Sequence, residues 1–234
     1  MLWHGKRYRK DLEKRPKHAM PVDQAVKALK GFSKVKFDQS VDIVFSLGID
    51  PKQADQLVRG SVSLPKGIGV SKKVIAFCPE TEIANAKAAG AIEAGADELV
   101  DKVSKGWLDF DVAIAHPSLM GKVGKLGKVL GPQGKMPSPK SGTVTADIST
   151  AVKEYAAGKV EFRNDANGNV HAVVGKMSFP EADLAANVSA FIDHIRRQRP
   201  NTAKGLFMKK VAISGSMSPS VEIELGQHSE EGQE

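Results

Sequence analysis

The pattern of apolar and polar positions divides the chain into three segments with different spacings. In residues 1–66, apolar side chains recur at i, i+3, i+4 and i+7 between Pro21 and Gly31, which predicts a helix. Residues 41–47 then alternate apolar and polar side chains, as a strand with one buried face does. One helix and one strand cannot bury each other's apolar sides, so this segment is half a domain.

The second segment, residues 67–158, alternates short apolar runs with helical stretches. We assign strands to residues 73–77, 97–100 and 112–115, and an Ala-rich helix to residues 81–89. This alternation predicts a parallel sheet with helices on both faces, which is a three-layer, Rossmann-like arrangement.

The third segment begins at residue 159 and contains four predicted strands and one long helix. The strands are residues 159–163, 170–176, 208–214 and 221–225. Asn167-Gly168 predicts a hairpin between the first two strands, and Pro180 opens an amphipathic helix that ends before Pro200. The segment contains more strands than its one helix requires, so some of them can complete the sheet that the first segment begins.

These observations predict a two-domain α/β protein with a discontinuous first domain. Residues 1–66 and 159–225 form a two-layer α+β domain, and residues 67–158 form an α/β domain inserted into it. The two connections contain glycine, which predicts a two-strand hinge. Three successive pieces are the alternative, which we rank lower because residues 1–66 lack a core of their own. Residues 226–234 are expected to form a disordered acidic tail.

Charge is distributed unevenly over the same segments. The net charge is +7, from 34 Lys and Arg against 27 Asp and Glu. By segment it is +7 in residues 1–66, +1 in 67–158, +4 in 159–221 and −5 in 222–234. The basic excess therefore lies in the two segments expected to form the first domain. Such an excess indicates a polyanionic partner for that domain.

Several classes of protein are excluded by composition. No run approaches the roughly 18 apolar residues that a membrane-spanning helix needs. The basic amino terminus has no apolar region of a secretory signal, and the single cysteine, Cys78, cannot form an internal disulfide. We expect an intracellular protein without a membrane span or a cofactor.

An enzyme is the weaker of the remaining classes. The six histidines include no His-x-x-x-His pair, and no Gly-x-Ser-x-Gly motif is present. An enzymatic site would lie near His116 and residues 120–140, which are rich in Gly and Lys but lack the spacing of a phosphate-binding loop. More simply, residues 120–140 are an irregular loop with solvated lysines. Binding of nucleic acid through the basic residues 1–18 alone is a third possibility.

Two local patterns are compatible with RNA binding. Phe37 follows Lys34 and Lys36, so its ring either belongs to the core or stacks on a base or ribose. Residues 214–219 contain Ser, Gly, Met and Pro, and such a loop leaves amides and hydroxyls open to RNA, although ordinary loops share this composition.

Several ordered blocks carry a family resemblance. They include Gly106-Trp-Leu-Asp-Phe-Asp111 and Glu161-Phe-Arg-Asn-Asp165, and the other blocks are residues 47–56, 59–67, 120–143, 173–179 and 203–208. Together they resemble the bacterial members of the universal L-one family of large-subunit ribosomal proteins, over roughly residues 6–225.

The resemblance implies a structural constituent of the large ribosomal subunit in the cytoplasm, monomeric outside the ribosome. It implies binding to the mobile stalk of large-subunit ribosomal RNA near the tRNA exit site, and help in releasing deacylated tRNA. Many bacterial members of the family also repress translation of their own operon messenger RNA, which mimics the ribosomal site.

The resemblance also maps an RNA-binding surface onto this chain. Lys36 would contact phosphate, Phe37 would pack on RNA and Ser40 would offer a hydroxyl. His171 and Lys176, which flank the second strand of the hairpin, are further positions.

The last inter-strand loop departs from the family pattern. Where the family has Thr-Met-Gly-Pro, this chain has Ser216, Met217, Ser218 and Pro219. Ser218 would place a Cβ where the family's glycine lets the backbone approach RNA. Ser138, where the family usually has Asn, is a smaller departure.

Overall fold

The computed structural model describes residues 5–225, so the predicted acidic tail lies outside the described residues. In chain order the elements are α1 (Lys6–Glu13), α2 (Val22–Lys30), β1 (Ser40–Leu47), β2 (Arg59–Val62), β3 (Val74–Phe77), α3 (Ile83–Ala88), β4 (Glu93–Gly95), α4 (Asp97–Ser104), β5 (Val112–Ala115), α5 (Met120–Val123), α6 (Gly127–Leu130), α7 (Ile148–Ala156), β6 (Val160–Arg163), β7 (Asn169–Lys176), α8 (Glu181–Arg197), β8 (Met208–Gly215) and β9 (Val221–Ile223).

The chain divides into two compact units. Residues up to Val58 and from Arg163 onward make the first unit, and Arg59–Phe162 make the second. The chain therefore passes from one unit to the other after residues 58 and 162, whereas the sequence pattern placed these domain boundaries after residues 66 and 158. The difference arises because β2 and β6 pair with each other as a two-stranded sheet.

The first unit is an antiparallel sheet with two helices on one face. The strand order is β7-β1-β8-β9, so the strand from the amino-terminal segment lies between two strands from the carboxy-terminal segment. Burial alternates along β1, and α2 and α8 cover the buried face. Phe45 of β1 stacks on Phe191 of α8 with ring centroids 5.5 Å apart. The core of this unit is thus built from both ends of the chain.

The second unit is a parallel sheet of order β4-β3-β5 that is covered on both faces. Val74 and Ala76 of β3 pack against residues of α3 and α7. Ile75 and Phe77 pack on the other face, against α4 and residues 123–130. This three-layer arrangement explains why the strands are short and continuously apolar. The predicted α/β fold class with two domains is confirmed.

The predicted strand at residues 97–100 is wrong, because these residues begin α4. Leu99 and Val103, four residues apart, are both buried on one side of that helix. Asp97 and Glu98 lie in its first turn, where negative charge complements the helix dipole. The strand at this place in the sheet is β4, which is only three residues long.

The predicted hairpin forms only its turn. The carboxylate of Asp165 accepts hydrogen bonds from the backbone N–H of Asn167 at 2.8 Å and of Asn169 at 2.7 Å. Gly168 has a positive φ of 79°, which suits glycine. Beyond a single bridge between Asn164 and Val170, however, β6 pairs with β2 and β7 pairs with β1. Local turn chemistry therefore fixed the turn but not the partners of its strands.

Residues 120–130 are not the irregular loop that their glycines and lysines indicated. They form α5, a 3-10 turn at Gly124–Leu126, and α6. Val123, Leu126 and Leu130 are buried in the second unit's core. Their three- and four-residue spacing is the helical signal that the glycine content obscured.

Candidate nucleic-acid interface

Three of the predicted RNA-binding residues meet at one end of the first unit's sheet. β1 begins at Ser40 directly opposite Lys176, the last residue of β7. The Nζ of Lys176 donates a hydrogen bond to the Oγ of Ser40 at 2.9 Å. The backbone N–H of Ser216, just after β8, donates to the carbonyl oxygen of Ser40 at 3.1 Å. Antiparallel register thus brings distant parts of the chain into one polar cluster.

A buried glutamine holds the loop after β8. Gln39 is only 3% exposed, and its Oε1 accepts the backbone N–H of Met217 at 2.8 Å. From α1, the guanidinium of Arg7 donates to the Met217 carbonyl oxygen at 2.8 Å. The Met217 side chain is nevertheless 52% exposed. The loop backbone is therefore fixed on both sides while its apolar side chain faces solvent.

Ser218 does not present its side chain at this surface. The residue is buried, and its Oγ accepts the backbone N–H of Gly215 at 2.8 Å. The resemblance placed Ser218 among the RNA contacts, and that assignment stays a prediction, although the side chain is turned into the loop. The hydroxyl instead satisfies a buried backbone donor inside the loop.

Sequence reasoning missed the parts that Gln39 and Gly215 play in the loop. A Cβ on Gly215 would lie 2.9 Å from the Oγ of Ser218 and 3.2 Å from the Oε1 of Gln39. Glycine is therefore required here by close packing. A glycine that ends a strand directly before a Ser-rich loop was the available signal for this position, whereas nothing local distinguishes Gln39.

Lys36 and Phe37 are both exposed just before β1. Phe37 is 52% exposed, which rules out the interpretation that its ring belongs to the core. The carboxylate of Asp38 accepts hydrogen bonds from the N–H and hydroxyl of Ser178 at 3.1 and 2.8 Å, which ties this segment to the residues after β7. Phe37 also lines a cavity of about 410 Å³ together with Lys34, among other residues.

His171 lies apart from the cluster. It is opposite Val44 on β1, four residues or about 13 Å along the strand from Ser40. Its Nε2 is 3.8 Å from the Oδ2 of Asp165. Burial raises the pKa of Asp42 above its ordinary value, and electrostatic interaction with His171 and Lys176 offsets part of that rise. His171 therefore contributes to the field on this part of the sheet but not to the group around Ser40.

Residues 6–13 of the basic amino-terminal segment form a helix attached to the first unit. Asp11 is fully buried, and its Oδ1 accepts hydrogen bonds from the N–H and hydroxyl of Ser33 at 3.0 and 2.7 Å. Arg7 lies 3.8 Å from the other carboxylate oxygen. These contacts are internal, so this part of the segment acts by supporting the loop at Met217.

The residues of the enzymatic alternative have ordinary surroundings. The Nδ1 of His116 lies 2.7 Å from the Oγ of Ser118, and burial raises the pKa of the Cys78 thiol. Among residues 5–225, no group of three or more His, Cys, Asp or Glu side chains is placed to hold a metal ion. Within the same range, no helix is both long and apolar enough to cross a bilayer.

Comparison with known families decides between an enzyme and a ribosomal protein. The sequence profile of the ribosomal protein L1p/L10e family matches residues 29–219, a range that includes all eight positions assigned to RNA from the resemblance. This chain belongs to that family. The family consists of structural ribosomal proteins, and the chain is not an enzyme.

Individual relatives are similar over most of their length. The large ribosomal subunit protein uL1 of Nitratidesulfovibrio vulgaris is 48% identical over 222 residues, which cover 94% of each chain. The protein of the same name from Lactobacillus gasseri is 47% identical over 225 residues, covering 96% of this chain and 98% of its own. The uL1 protein of a Nocardioides species is 48% identical over 200 residues, or 86% and 83%.

The support given by Gln39 leads to a first prediction. Gln39→Ala removes the buried acceptor of the Met217 N–H, and an unsatisfied buried donor costs about 1–3 kcal/mol. We expect faster hydrogen exchange at residues 216–218 and weaker RNA binding. Gln24→Ala removes an exposed glutamine of the same unit and is the matched control. Unchanged exchange in the loop of the Gln39 variant would show that Arg7 alone fixes it.

Proposed function

We propose that this protein is a constituent of the large ribosomal subunit and binds large-subunit ribosomal RNA through one end of the first unit's sheet. We call this site the sheet-end surface, and it consists of Lys36, Phe37, Ser40, Lys176, Ser216 and Met217. The observation that carries the proposal is that two large apolar side chains, Phe37 and Met217, are each 52% exposed beside a polar, basic cluster. Exposed apolar groups amid lysines and hydroxyls suit RNA, which offers phosphates, sugars and unstacked bases.

Each group of the sheet-end surface has a distinct role in this proposal. The ammonium groups of Lys36 and Lys176 pair with phosphates and supply affinity that depends on salt. The hydroxyls of Ser40 and Ser216 exchange hydrogen bonds with sugar or phosphate oxygens. Phe37 and Met217 pack on bases or ribose, which gives binding that salt does not remove. His171, farther along the sheet, is a secondary contact to the same RNA.

The family resemblance supports a more specific role. We propose that the bound RNA is the mobile stalk near the tRNA exit site, and that the cytoplasmic protein helps to release deacylated tRNA there. We also propose that the same surface binds the protein's own operon messenger RNA and represses its translation. One surface serves both RNAs because a mimic of the stalk presents the same backbone and base geometry.

The proposal is tested by titrating the full chain with the stalk RNA fragment and with a scrambled RNA of equal length, over a salt series. Specific recognition predicts a preference for the stalk fragment that persists at physiological salt, because stacking and hydrogen bonds survive when counterion release is weakened. Equal affinities that fall together with salt would overturn it and show that net charge alone binds RNA. The operon messenger leader is a third ligand in the same assay.

A further inference from the structure

Strands β2 and β6, which we call the strand pair, are attached to the second unit differently from the strands of its parallel sheet. The two apolar clusters on the faces of that sheet contain no residue of β2 or β6. The sequence pattern also placed the domain boundaries between the strand pair and the sheet, whereas residues 59–62 and 160–162 are compact with the second unit. Contacts other than those of an apolar core therefore hold the strand pair there.

Tyr155 of α7 contacts both strands of the pair. Its side chain is fully buried, and its hydroxyl donates a hydrogen bond to the carbonyl oxygen of Ser141 at 2.5 Å. Ser61 of β2 and Glu161 of β6 both lie within hydrogen-bonding reach of the same hydroxyl. Burial raises the pKa of Tyr155, so the hydroxyl keeps its proton and remains a donor at physiological pH. One buried group of the second unit thus connects both strands to it.

The polar groups around Tyr155 converge on the backbone at Gly142. A Cβ added to Gly142 would lie 3.5 Å from the Oγ of Ser61 and 3.9 Å from the hydroxyl of Tyr155. The same Cβ would lie 4.0 Å from the Nζ of Lys159, the residue that precedes β6. Two hydroxyls and an ammonium group therefore surround one point beside the strand pair.

Two lysines add further polar contacts at the start of β6. The Nζ of Lys72 donates a hydrogen bond to the carbonyl oxygen of Lys159 at 2.9 Å. The Lys72 ammonium is also attracted by the carboxylates of Glu161 and Asp111. Lys159 in turn forms an ion pair with Glu154 of α7 at 2.7 Å. Such partly exposed polar contacts each contribute less than the burial of a large apolar side chain, so the attachment is weaker than a core.

Glycine lies in both connections between the strand pair and the rest of the second unit. Gly67 and Gly158 have positive φ angles of 63° and 101°. A Cβ on Gly158 would lie 2.9 Å from the Cγ1 of Ile68. A Cβ on Gly67 would lie 3.0 Å from the carbonyl oxygen of Ala157. The attached conformation therefore requires glycine, and glycine also adopts other backbone angles at little cost, so the chain can turn at these two residues.

We propose that Tyr155 and Lys72 form a polar latch, which holds the strand pair against the rest of the second unit in one state and releases it in another. The chain turns at Gly67 and Gly158 when the latch opens. In the released state, the second unit ends at the boundaries that the sequence pattern placed after residues 66 and 158. A few polar contacts can open in this way while the apolar core of the unit stays folded. The proposal does not depend on RNA binding.

The test measures how fast a thiol reagent modifies a cysteine placed in the latch of the full chain. Ser61→Cys provides this thiol on β2, and the buried Cys78 reports on the core of the second unit in the same sample. Tyr155→Phe in this background removes the hydroxyl and keeps the ring. We expect about tenfold faster labelling at position 61, since one buried hydrogen bond contributes about 1.4 kcal/mol, or a factor of ten in the released population. Labelling of Cys78 should not change.

Lys72→Ala opens the latch by a second route, because it removes the donor to the carbonyl oxygen of Lys159. It should also speed labelling at position 61 and leave Cys78 unchanged. Two matched controls should change neither rate. Tyr8→Phe removes a tyrosine hydroxyl from the first unit, and Lys105→Ala removes an exposed lysine from the second.

The two labelling rates together decide the proposal. Faster labelling at position 61 alone supports a latch that opens while the second unit stays folded. Unchanged labelling at position 61 in both the Tyr155 and Lys72 variants would overturn it. A parallel rise at Cys78 would overturn it too, because the two residues would then stabilise the whole unit rather than the attachment of the strand pair.

Discussion

Phe37→Ala is expected to weaken binding to the stalk RNA by about 1–3 kcal/mol, or roughly 5- to 150-fold, because removing an aromatic ring that stacks on a base costs that much. Met217→Ala should weaken binding in the same assay, since its exposed side chain lies on the same surface. Neither change should lower the free energy of unfolding appreciably, because both side chains are half exposed and contribute little to the core. Titration at physiological salt measures the effect.

Leu206 provides a matched control for these two substitutions. It is 63% exposed and lies in the same unit, shortly before β8 begins, whereas Met217 follows the end of that strand. Leu206→Ala removes a similar apolar area away from the sheet-end surface, so RNA affinity should not change. Wild-type affinity in both the Phe37 and Met217 variants would show that the sheet-end surface is not the RNA site.

Much of the fold was predictable because buried apolar side chains recur at regular spacings in the sequence. The helix after Pro21 and strand β1 occur as their spacing predicts, since each has one face on a core. The strand prediction for residues 97–100 was wrong because four residues are too few to distinguish a buried strand from the first turn of a helix. Residues 120–130 were wrongly predicted to be an irregular loop because glycine lowers helix propensity. Tertiary packing of Val123 and Leu126 overrides that low propensity.

The individual parts of the sheet-end surface were predictable, but their assembly was not. Residue types drew attention to Phe37, to Lys176 and to the loop at Met217. Their proximity depends on the register of β1 between β7 and β8, which no local pattern contains. For the same reason Gln39 went unnoticed and the burial of Ser218 was not foreseen, because both depend on contacts between strands that are distant in sequence.

Phe45→Ala is expected to have the largest effect on stability. Phe45 is fully buried on β1 and stacks on Phe191 of α8, and truncating such a residue typically costs about 3–5 kcal/mol. That is a large part of the 5–15 kcal/mol by which domains are usually stable. Hydrogen exchange measures the loss segment by segment, and Phe37→Ala, at an exposed aromatic position, serves as the control.

The pattern of exchange in the Phe45 variant tests how the two chain ends cooperate. If residues 40–47 and 208–215 belong to one cooperative core, their slowest amides should lose the same protection, although they are far apart in sequence. The amides of β3 and β5 should keep theirs, because their core clusters contain no residue of the first unit. Faster exchange confined to residues 40–47 would mean that the carboxy-terminal segment holds a core without β1. The half-domain argument, which rests on one helix and one strand being unable to bury each other, would then fail.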